Sequence, residues 1–303
     1  MEGAVVVIGA DSREGQSVVA ALVQDPRLKV RAAFDDMSNP QATTLSTSGV
    51  DIVQFDPQDG SSVDAALKGM CSSIIITTTN FQDADPLKGE IRRGYSLADG
   101  CKRQGVRHVV FLGQHHVHRQ YGLPSRHMDA KASINDYMNE IALPKTEVIL
   151  PYFFEDILLA VKPSTVGHNA YKLALPMGDT GLDGISLTQV GPVVASIIHN
   201  PRRWIGKSCS ISADRLTIHE YAVTLSRLLH PAQFKDDRIS VRAFVETHRG
   251  PESQDLGNMF EFWKKGSQQM SKTITAELCN DVKCFHTWVS ENKDHIRHSL
   301  NIS

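Results

Sequence analysis

The feature that most constrains this chain is its opening. A five-residue apolar run, Ala4-Val5-Val6-Val7-Ile8, passes directly into Gly9-Ala10-Asp11-Ser12-Arg13-Glu14-Gly15, and apolar residues at helical spacing follow at Val18, Val19, Leu22 and Val23. A short run with no polar residue suits a strand buried on both faces of a parallel sheet. A glycine-bounded turn from such a strand into a helix is the setting of a dinucleotide-binding fingerprint. There the glycines let the backbone turn tightly, approach a pyrophosphate and pack helix on strand. Gly9 and Gly15 keep the first and last glycine positions, but Ser12 stands where the central one lets a phosphate come close. Its Cβ is expected to crowd that ligand. Asp11 and Glu14 add negative charge beside a helix N-terminus suited to an anion, and Arg13 offsets part of it. A fold that no longer holds its nucleotide is the competing reading of this loop.

The strand–helix alternation continues through the first half. Strands are predicted over 29–34, 51–55, 73–78, 108–112 and 147–150, with helices over 16–23, 63–67, 91–104 and 131–140 between them. Right-handed crossovers then predict an α/β fold, a Rossmann-type doubly wound parallel sheet, over residues 1–151. Past Pro151 the alternation loosens. A piece at Leu173–Pro176, helices over 189–199 and 218–229, a polar irregular stretch over 230–257 and a tail helix over 285–292 predict a smaller mixed α/β lobe. This lobe, 152–303, is expected to be partly interleaved with the first domain. The apolar Met259-Phe260-Glu261-Phe262-Trp263 reads as core packing in preference to a docking patch.

The end of the second strand carries Asp35 and Asp36, followed by Met37-Ser38-Asn39-Pro40. A carboxylate at this point can bind both ribose hydroxyls and repels a 2′-phosphate, which favours NAD over NADP; the same residues also suit a solvated loop cap. A formal net charge of −2 gives no bulk attraction to nucleic acid or to an anionic membrane. No apolar run approaches the ~18 residues of a membrane helix. Met1-Glu2-Gly3-Ala4 lacks the regions of a secretion signal, and the five cysteines are scattered, so reduced thiols in cytoplasm or nucleus are expected. The spacing of Cys279 and Cys284 matches no zinc knuckle, and His115, His116 and His118 read as a loop at a pocket mouth, so no metal is expected. No Gly-x-Ser-x-Gly nucleophile elbow occurs.

Further motifs run along nearly the whole chain: Gly49-Val-Asp-Ile-Val-Gln-Phe-Asp-Pro-Gln-Asp59, Thr79-Asn80-Phe81, His108-Val-Val-Phe-Leu-Gly113, His127-Met-Asp-Ala-Lys131, Pro151-Tyr-Phe-Phe-Glu-Asp156, Leu175-Pro-Met-Gly-Asp179, Leu182-Asp-Gly-Ile-Ser186, Val190-Gly-Pro-Val-Val194 and Asn258-Met-Phe-Glu-Phe-Trp263. With the opening strand and turn, they make the sequence resemble the NmrA-like family, an atypical branch of the short-chain dehydrogenases. The resemblance implies proteins that bind NADP, sense redox state and regulate transcription through protein partners without being vigorous enzymes. It implies a regulatory protein partner, leaves a homodimer open, and involves no direct nucleic-acid or membrane contact. Carried over by position, the pyrophosphate loop is Gly9, Ala10, Asp11, Ser12, Arg13 and Glu14, closed by Gly15, and the ribose-phosphate region is Asp35, Asp36, Met37, Ser38 and Asn39. The adenine-side contact is Asp59 and Gly60. The nicotinamide pocket is Thr79, Asn80, Phe81, Lys131, Phe153, Phe154, Glu155 and Asp156.

The chain departs from the family pattern where phosphates are held. Ala10 and Ser12 replace glycines of the loop, and Asp35 replaces a basic residue, exchanging a bidentate phosphate partner for a repelling charge. NADP or NAD is the implied cofactor, with binding weakened at these two positions. Active short-chain dehydrogenases pair a tyrosine with a lysine four residues on. Here Lys131 holds the lysine position and His127 the tyrosine position, and Leu112-Gly113 offers no serine. The expectation is a dinucleotide-binding redox-sensing regulator without a complete catalytic pair. The alternative is a reductase of small carbonyl or quinone compounds using Lys131, with His127 as a conceivable acid.

Overall fold

A computed structural model describes residues 3–163, 169–266 and 269–302. Up to Ile149 the elements are β1 (Ala4–Ile8), α1 (Arg13–Leu22), β2 (Lys29–Phe34), α2 (Pro40–Thr47), β3 (Asp51–Gln54), α3 (Gly60–Leu67), β4 (Ser72–Ile75), α4 (Pro86–Arg103), β5 (His108–Gly113), α5 (Val117–Tyr121), α6 (Arg126–Glu140) and β6 (Lys145–Ile149). The chain separates into two compact units. The first is Met1–His118, Arg126–Leu150 and Thr188–Cys209; the second is Arg119–Ser125, Pro151–Leu187 and Ser210–Ser303.

The first unit holds a seven-stranded sheet. Its order runs from the edge strand Ser208–Ser210 through β6, β5, β4, β1 and β2 to β3. Strands β1 to β6 pair parallel, with Val7 opposite Ala32 on one side and Ile74 on the other. The order reverses between β1 and β4, so their carboxyl ends diverge and open a crevice, the switch point of a doubly wound sheet. Alternation along the strands sends Val6, Ile8, Ala33, Ile75, Val109 and Phe111 into one core layer with Val63 and Leu67 of α3, Leu97 and Cys101 of α4, and Ile134 and Met138 of α6.

The first unit reaches past Pro151, the boundary expected from the pattern, and takes in the helix Val190–His199 and the first two residues of the strand Ser208–Ser210. This helix, expected in the smaller lobe, packs on α1 so closely that a Cβ on Gly191 would lie 2.0 Å from the Ser17 carbonyl oxygen. The Gly191 amide donates to Ser17 Oγ at 3.0 Å. Its apolar face (Val190, Val193, Val194, Ile197) buries as well against a sheet as in a separate lobe, so local periodicity does not say which.

The second unit carries two three-stranded sheets, Asp214–Leu216 with Leu182–Ile185 and Tyr152–Phe153, and Gln233–Asp236 with Ala170–Leu173 and Val161–Pro163. Where an irregular stretch was expected over 230–257, the chain forms the strand Gln233–Asp236, the helix Val241–His248 and the start of the helix Ser253–Lys264. Ser240 caps the first helix by accepting from the Ala243 amide at 3.1 Å, a start signal hidden in a polar run. Met259, Phe260, Phe262 and Trp263 are buried, with Phe260 edge-on to Phe244 and Trp263. They form core, not surface.

Candidate functional site

The fingerprint turn adopts the geometry its glycines require. Gly9 has a φ of +81°, and a Cβ there would lie 2.5 Å from the Ile76 carbonyl oxygen; a Cβ added to Gly15 would lie 2.1 Å from the Gly9 carbonyl oxygen. One glycine makes the turn and the other lets α1 press against it. Ala10 is fully buried, its amide donating to the Ala33 carbonyl at 3.3 Å. Ser12 has a structural task that was not expected of it. It is the N-cap of α1: its hydroxyl donates to the Gly9 carbonyl at 2.7 Å and accepts from the Gly15 amide at 2.9 Å. The hydroxyl is thereby committed inside the loop, and it satisfies one of the helix amides that an anion would otherwise take. Glu14 lies in the first turn of α1, and Arg13 is exposed.

At the switch point a cavity of about 850 Å³ opens beside the turn, within the range of small-molecule and cofactor clefts. Gly9, Asp11, Asp35, Phe55, Asp56, Thr77, Asn80, Asp83, Arg93 and Leu97 are among its lining residues. Four carboxylates therefore face one guanidinium. That guanidinium is engaged, donating to Asp83 at 3.3 Å and to the Thr78 carbonyl at 3.1 Å. Desolvation against the cleft wall raises the Asp35 pKa, and the charges of Asp11 and Asp56 raise it further against the pull of Arg93. The carboxylates share one field, and a further anion there would meet the same repulsion.

The rest of the proposed ribose-phosphate loop closes on itself. Asp36 accepts from the Ser38 amide at 2.8 Å and from its hydroxyl at 2.7 Å, Asn39 caps α2 through the Gln41 amide, and Met37 is exposed. Asp59 caps α3 by accepting from the Ser61 amide at 2.9 Å, and Gly60 begins that helix. Neither lines the cavity, whose wall on this side is Asp56, Pro57, Gln58 and Ser62.

Beyond β4 the chain runs through Thr77, Thr78 and Thr79 to Asn80 and Phe81. Asn80 lines the cleft and donates to Asp83 at 2.7 Å. Phe81 lies with its ring 5.3 Å from the Arg126 guanidinium and 6.3 Å from the His127 ring, edge to face. One turn further along α6, Lys131 donates to Glu90 Oε1 at 2.7 Å. Glu90 has no solvent exposure. The same oxygen accepts from Thr77 at 2.6 Å, and Oε2 accepts from Thr79. Burial alone would push the Glu90 pKa up, but the Lys131 ammonium and the two hydroxyls outweigh it, and the net direction is down. Glu90 is thus an anion and Lys131 its counter-ion, so the lysine at the catalytic position is already paired.

Phe153, Phe154, Glu155 and Asp156 belong to the second unit. There Phe154 is fully buried against Phe285 and Trp288, at 5.2 and 5.7 Å, which makes it core. Phe153 ends a two-residue strand, Glu155 accepts from Ser186 at 2.8 Å and from the Leu187 amide at 3.0 Å, and Asp156 lies in the helix they begin. In the histidine cluster, His116 pairs with Asp136 at 2.9 Å, and no group of three potential metal ligands occurs among the described residues.

Asp56, Asp83, Arg93 and above all Glu90 were not singled out from sequence. Glu90 had a signal: it stands in phase with Gly94, Leu97 and Cys101 on the buried face of α4, where an unpaired carboxylate is costly and a partner must be sought.

The NmrA-like family model matches residues 1–282. The NmrA-like family domain-containing oxidoreductase FrzB of a Cladobotryum species is 24% identical over 283 residues, covering 85% of this chain and 83% of its own. Among solved structures, the negative transcriptional regulator NmrA in complex with NADP superimposes with a TM-score of 0.80 at 19% identity, over 100% of this chain and 98% of that one. The NADPH-dependent quinone oxidoreductase QOR2 of Escherichia coli, complexed with NADPH, gives 0.79 at 15%, over 98% and 100%. These superpositions show the fold.

Proposed function

The chain belongs to the NmrA-like family, and on that premise we propose that it is a regulatory protein whose first unit binds NAD(H) in preference to NADP(H). The observation that carries this reading is the charge of the cleft, where Asp11, Asp35 and Asp56 converge and Arg93 is occupied by Asp83. The glycine cradle at Gly9 and Gly15 and the position at the switch point fit a dinucleotide. Asp35 fits the two hydroxyls of an unphosphorylated ribose. A 2′-phosphate about 4 Å from that carboxylate would meet roughly 2 kcal/mol of repulsion even in water, about thirtyfold in affinity.

The regulatory half of the proposal draws support from the nicotinamide end. A bound nicotinamide would supply hydride chemistry, but this chain sets His127 where a tyrosine acid would stand and ties Lys131 to a buried anion. Binding would change what the protein presents to a partner, and turnover is not required for that.

Calorimetric titration with NAD, NADH, NADP and NADPH tests the reading. NADH or NAD binding at least tenfold tighter than the phosphorylated forms is expected. Tighter NADPH binding would refute the argument from Asp35, and no heat with any of the four would leave a scaffold without nucleotide. A second reading, a reductase of small carbonyls or quinones, is favoured by the place of Lys131 beside Thr79 and by the name of the oxidoreductase relative. NADH oxidation with a carbonyl and quinone panel that disappears in Lys131→Ala would establish it.

A further inference from the structure

A second polar cavity, of about 270 Å³, opens in the first unit at the far edge of the sheet from the cleft wall of β3. It is lined by Asn135 and Asn139 of α6, Lys145 and Glu147 of β6, and Lys207 and Ser208 of the edge segment. Its volume is below the ~300–1,000 Å³ of drug-sized sites, yet about nine times the ~30 Å³ share of a liquid water.

The polar groups around it have unmet needs of opposite kinds. Lys145 and Glu147, two residues apart, project from the same face of β6, and each is more than nine-tenths buried, at 7% and 5% exposure. Lys145 lines the cavity, yet its ammonium makes no hydrogen bond or ion pair with the described residues. Glu147 accepts from Ser208 at 2.7 Å through Oε2, and Oε1 takes no hydrogen bond among the described residues. The Asn135 Oδ1 is buried without a partner. Lys207 spends its charge on the Trp204 ring, 5.4 Å from the centroid. Burying an ammonium and a carboxylate without direct pairing is expensive, and such groups are ordinarily satisfied by a counter-charge or by hydrogen bonds. Here Glu147 and Asp136 act on the Lys145 ammonium only through Coulombic attraction, and the donor-only cation and the free carboxylate oxygen make no direct hydrogen bond to each other.

We propose that this cavity binds a small zwitterion of the free α-amino-acid class, with its carboxylate on Lys145 and its ammonium on Glu147 Oε1. A simple anion would satisfy Lys145 but would sit beside Glu147, and a simple cation would meet the reverse conflict. A molecule carrying both charges two bonds apart answers both groups. The site lies apart from the dinucleotide cleft, so the inference does not depend on which nucleotide, if any, that cleft holds.

The test uses the whole chain and a panel of probes: glycine, alanine, serine, glutamate and glutamine, with acetate, inorganic phosphate and methylammonium as single-charge controls. Saturable binding of at least one amino acid by calorimetry, with acetate and methylammonium at least tenfold weaker, is expected. Lys145→Met and Glu147→Gln each remove a charge with little change of side-chain bulk and should each weaken that binding by roughly 10- to 100-fold, the worth of a charge-assisted hydrogen bond. NADH binding should be unchanged in both. Binding of acetate or phosphate as tight as that of every amino acid, or no binding of any amino acid to the unaltered protein, would overturn the proposal. Should either variant fail to fold, the panel on the unaltered protein still decides.

Discussion

Glu90→Gln isolates the charge of the buried pair while keeping the shape of the side chain. The carboxylate accepts from Lys131, Thr77 and Thr79. A glutamine amide oxygen can still accept two of these bonds, but its nitrogen can only donate, and the ion pair is gone. Breaking a buried pair from one side costs ~3–5 kcal/mol. Lys131 retains 16% side-chain exposure and can recover part of its hydration, which places the expected loss at the low end, about 3 kcal/mol. The pH dependence identifies the cause. Because the folded-state pKa of Glu90 lies below its ordinary value of 4.5, its contribution is complete above 4.5 and is lost as pH falls through the folded-state value. Urea unfolding of the two proteins should therefore differ by about 3 kcal/mol at pH 7 and converge on acidification below 4.5. A difference that stays constant down to pH 3, with unchanged m-values, would show that the substitution acts through packing and would refute the ion-pair account. An equal stability at pH 7 would refute it outright.

Three other outcomes follow from the geometry. Asp35→Arg should raise NADPH affinity over that of the parent by at least tenfold in a calorimetric titration; adding Ser12→Gly should contribute little, because the serine is a helix cap and glycine in its place costs only a few tenths of a kcal/mol. Gly15→Ala should destabilise the chain by roughly 1–3 kcal/mol in urea, since the new methyl would lie 2.1 Å from a backbone oxygen that cannot swing aside; a neutral result would mean that α1 moves freely on β1. His108 is buried at 2% exposure with Nε2 at 2.8 Å from the Thr146 hydroxyl, and burial takes its pKa from 6.5 down to about 4. As the unfolded chain takes up a proton that the folded one refuses, stability should fall by about 3 kcal/mol between pH 6.5 and 4, and His108→Asn should flatten that slope.

Much of the first unit was legible because its information is local. The run Ala4–Ile8 could only be a buried strand, and Gly9 and Gly15 mark the turn because only a bare Cα fits against Ile76 and against the Gly9 carbonyl. The helix expected over 131–140 begins five residues earlier, at Arg126, and that extension is what sets His127 one turn before Lys131. At Ser12 a second local signal went unread. A hydroxyl three residues before Gly15 is an N-cap signal as well as a missing glycine, and the backbone resolved the choice in favour of the cap. The helix Val241–His248 was missed because its apolar residues, Val241, Phe244 and Val245, are sparse in a polar run and Phe244 alone is buried.

The sequence by itself determined the doubly wound parallel sheet, the glycine turn at its first crossover and the acidic residue at the end of β2, since each depends on periodicity or on sterics within a few residues. The tertiary structure alone decided that Glu90 would meet Lys131, that Asp56 and Asp83 would join Asp11 and Asp35 in one cleft, and that the edge strand Ser208–Ser210 would close the sheet beside β6. These residues lie tens of positions apart, and a charge on a helix reads the same from sequence whether it faces water or a partner. What fixes its partner is the packing of whole elements: α4 lies so close to α6 that a Cβ on Gly94 would touch Ile134 at 2.3 Å, and that approach brings the Lys131 ammonium to 2.7 Å from the buried carboxylate.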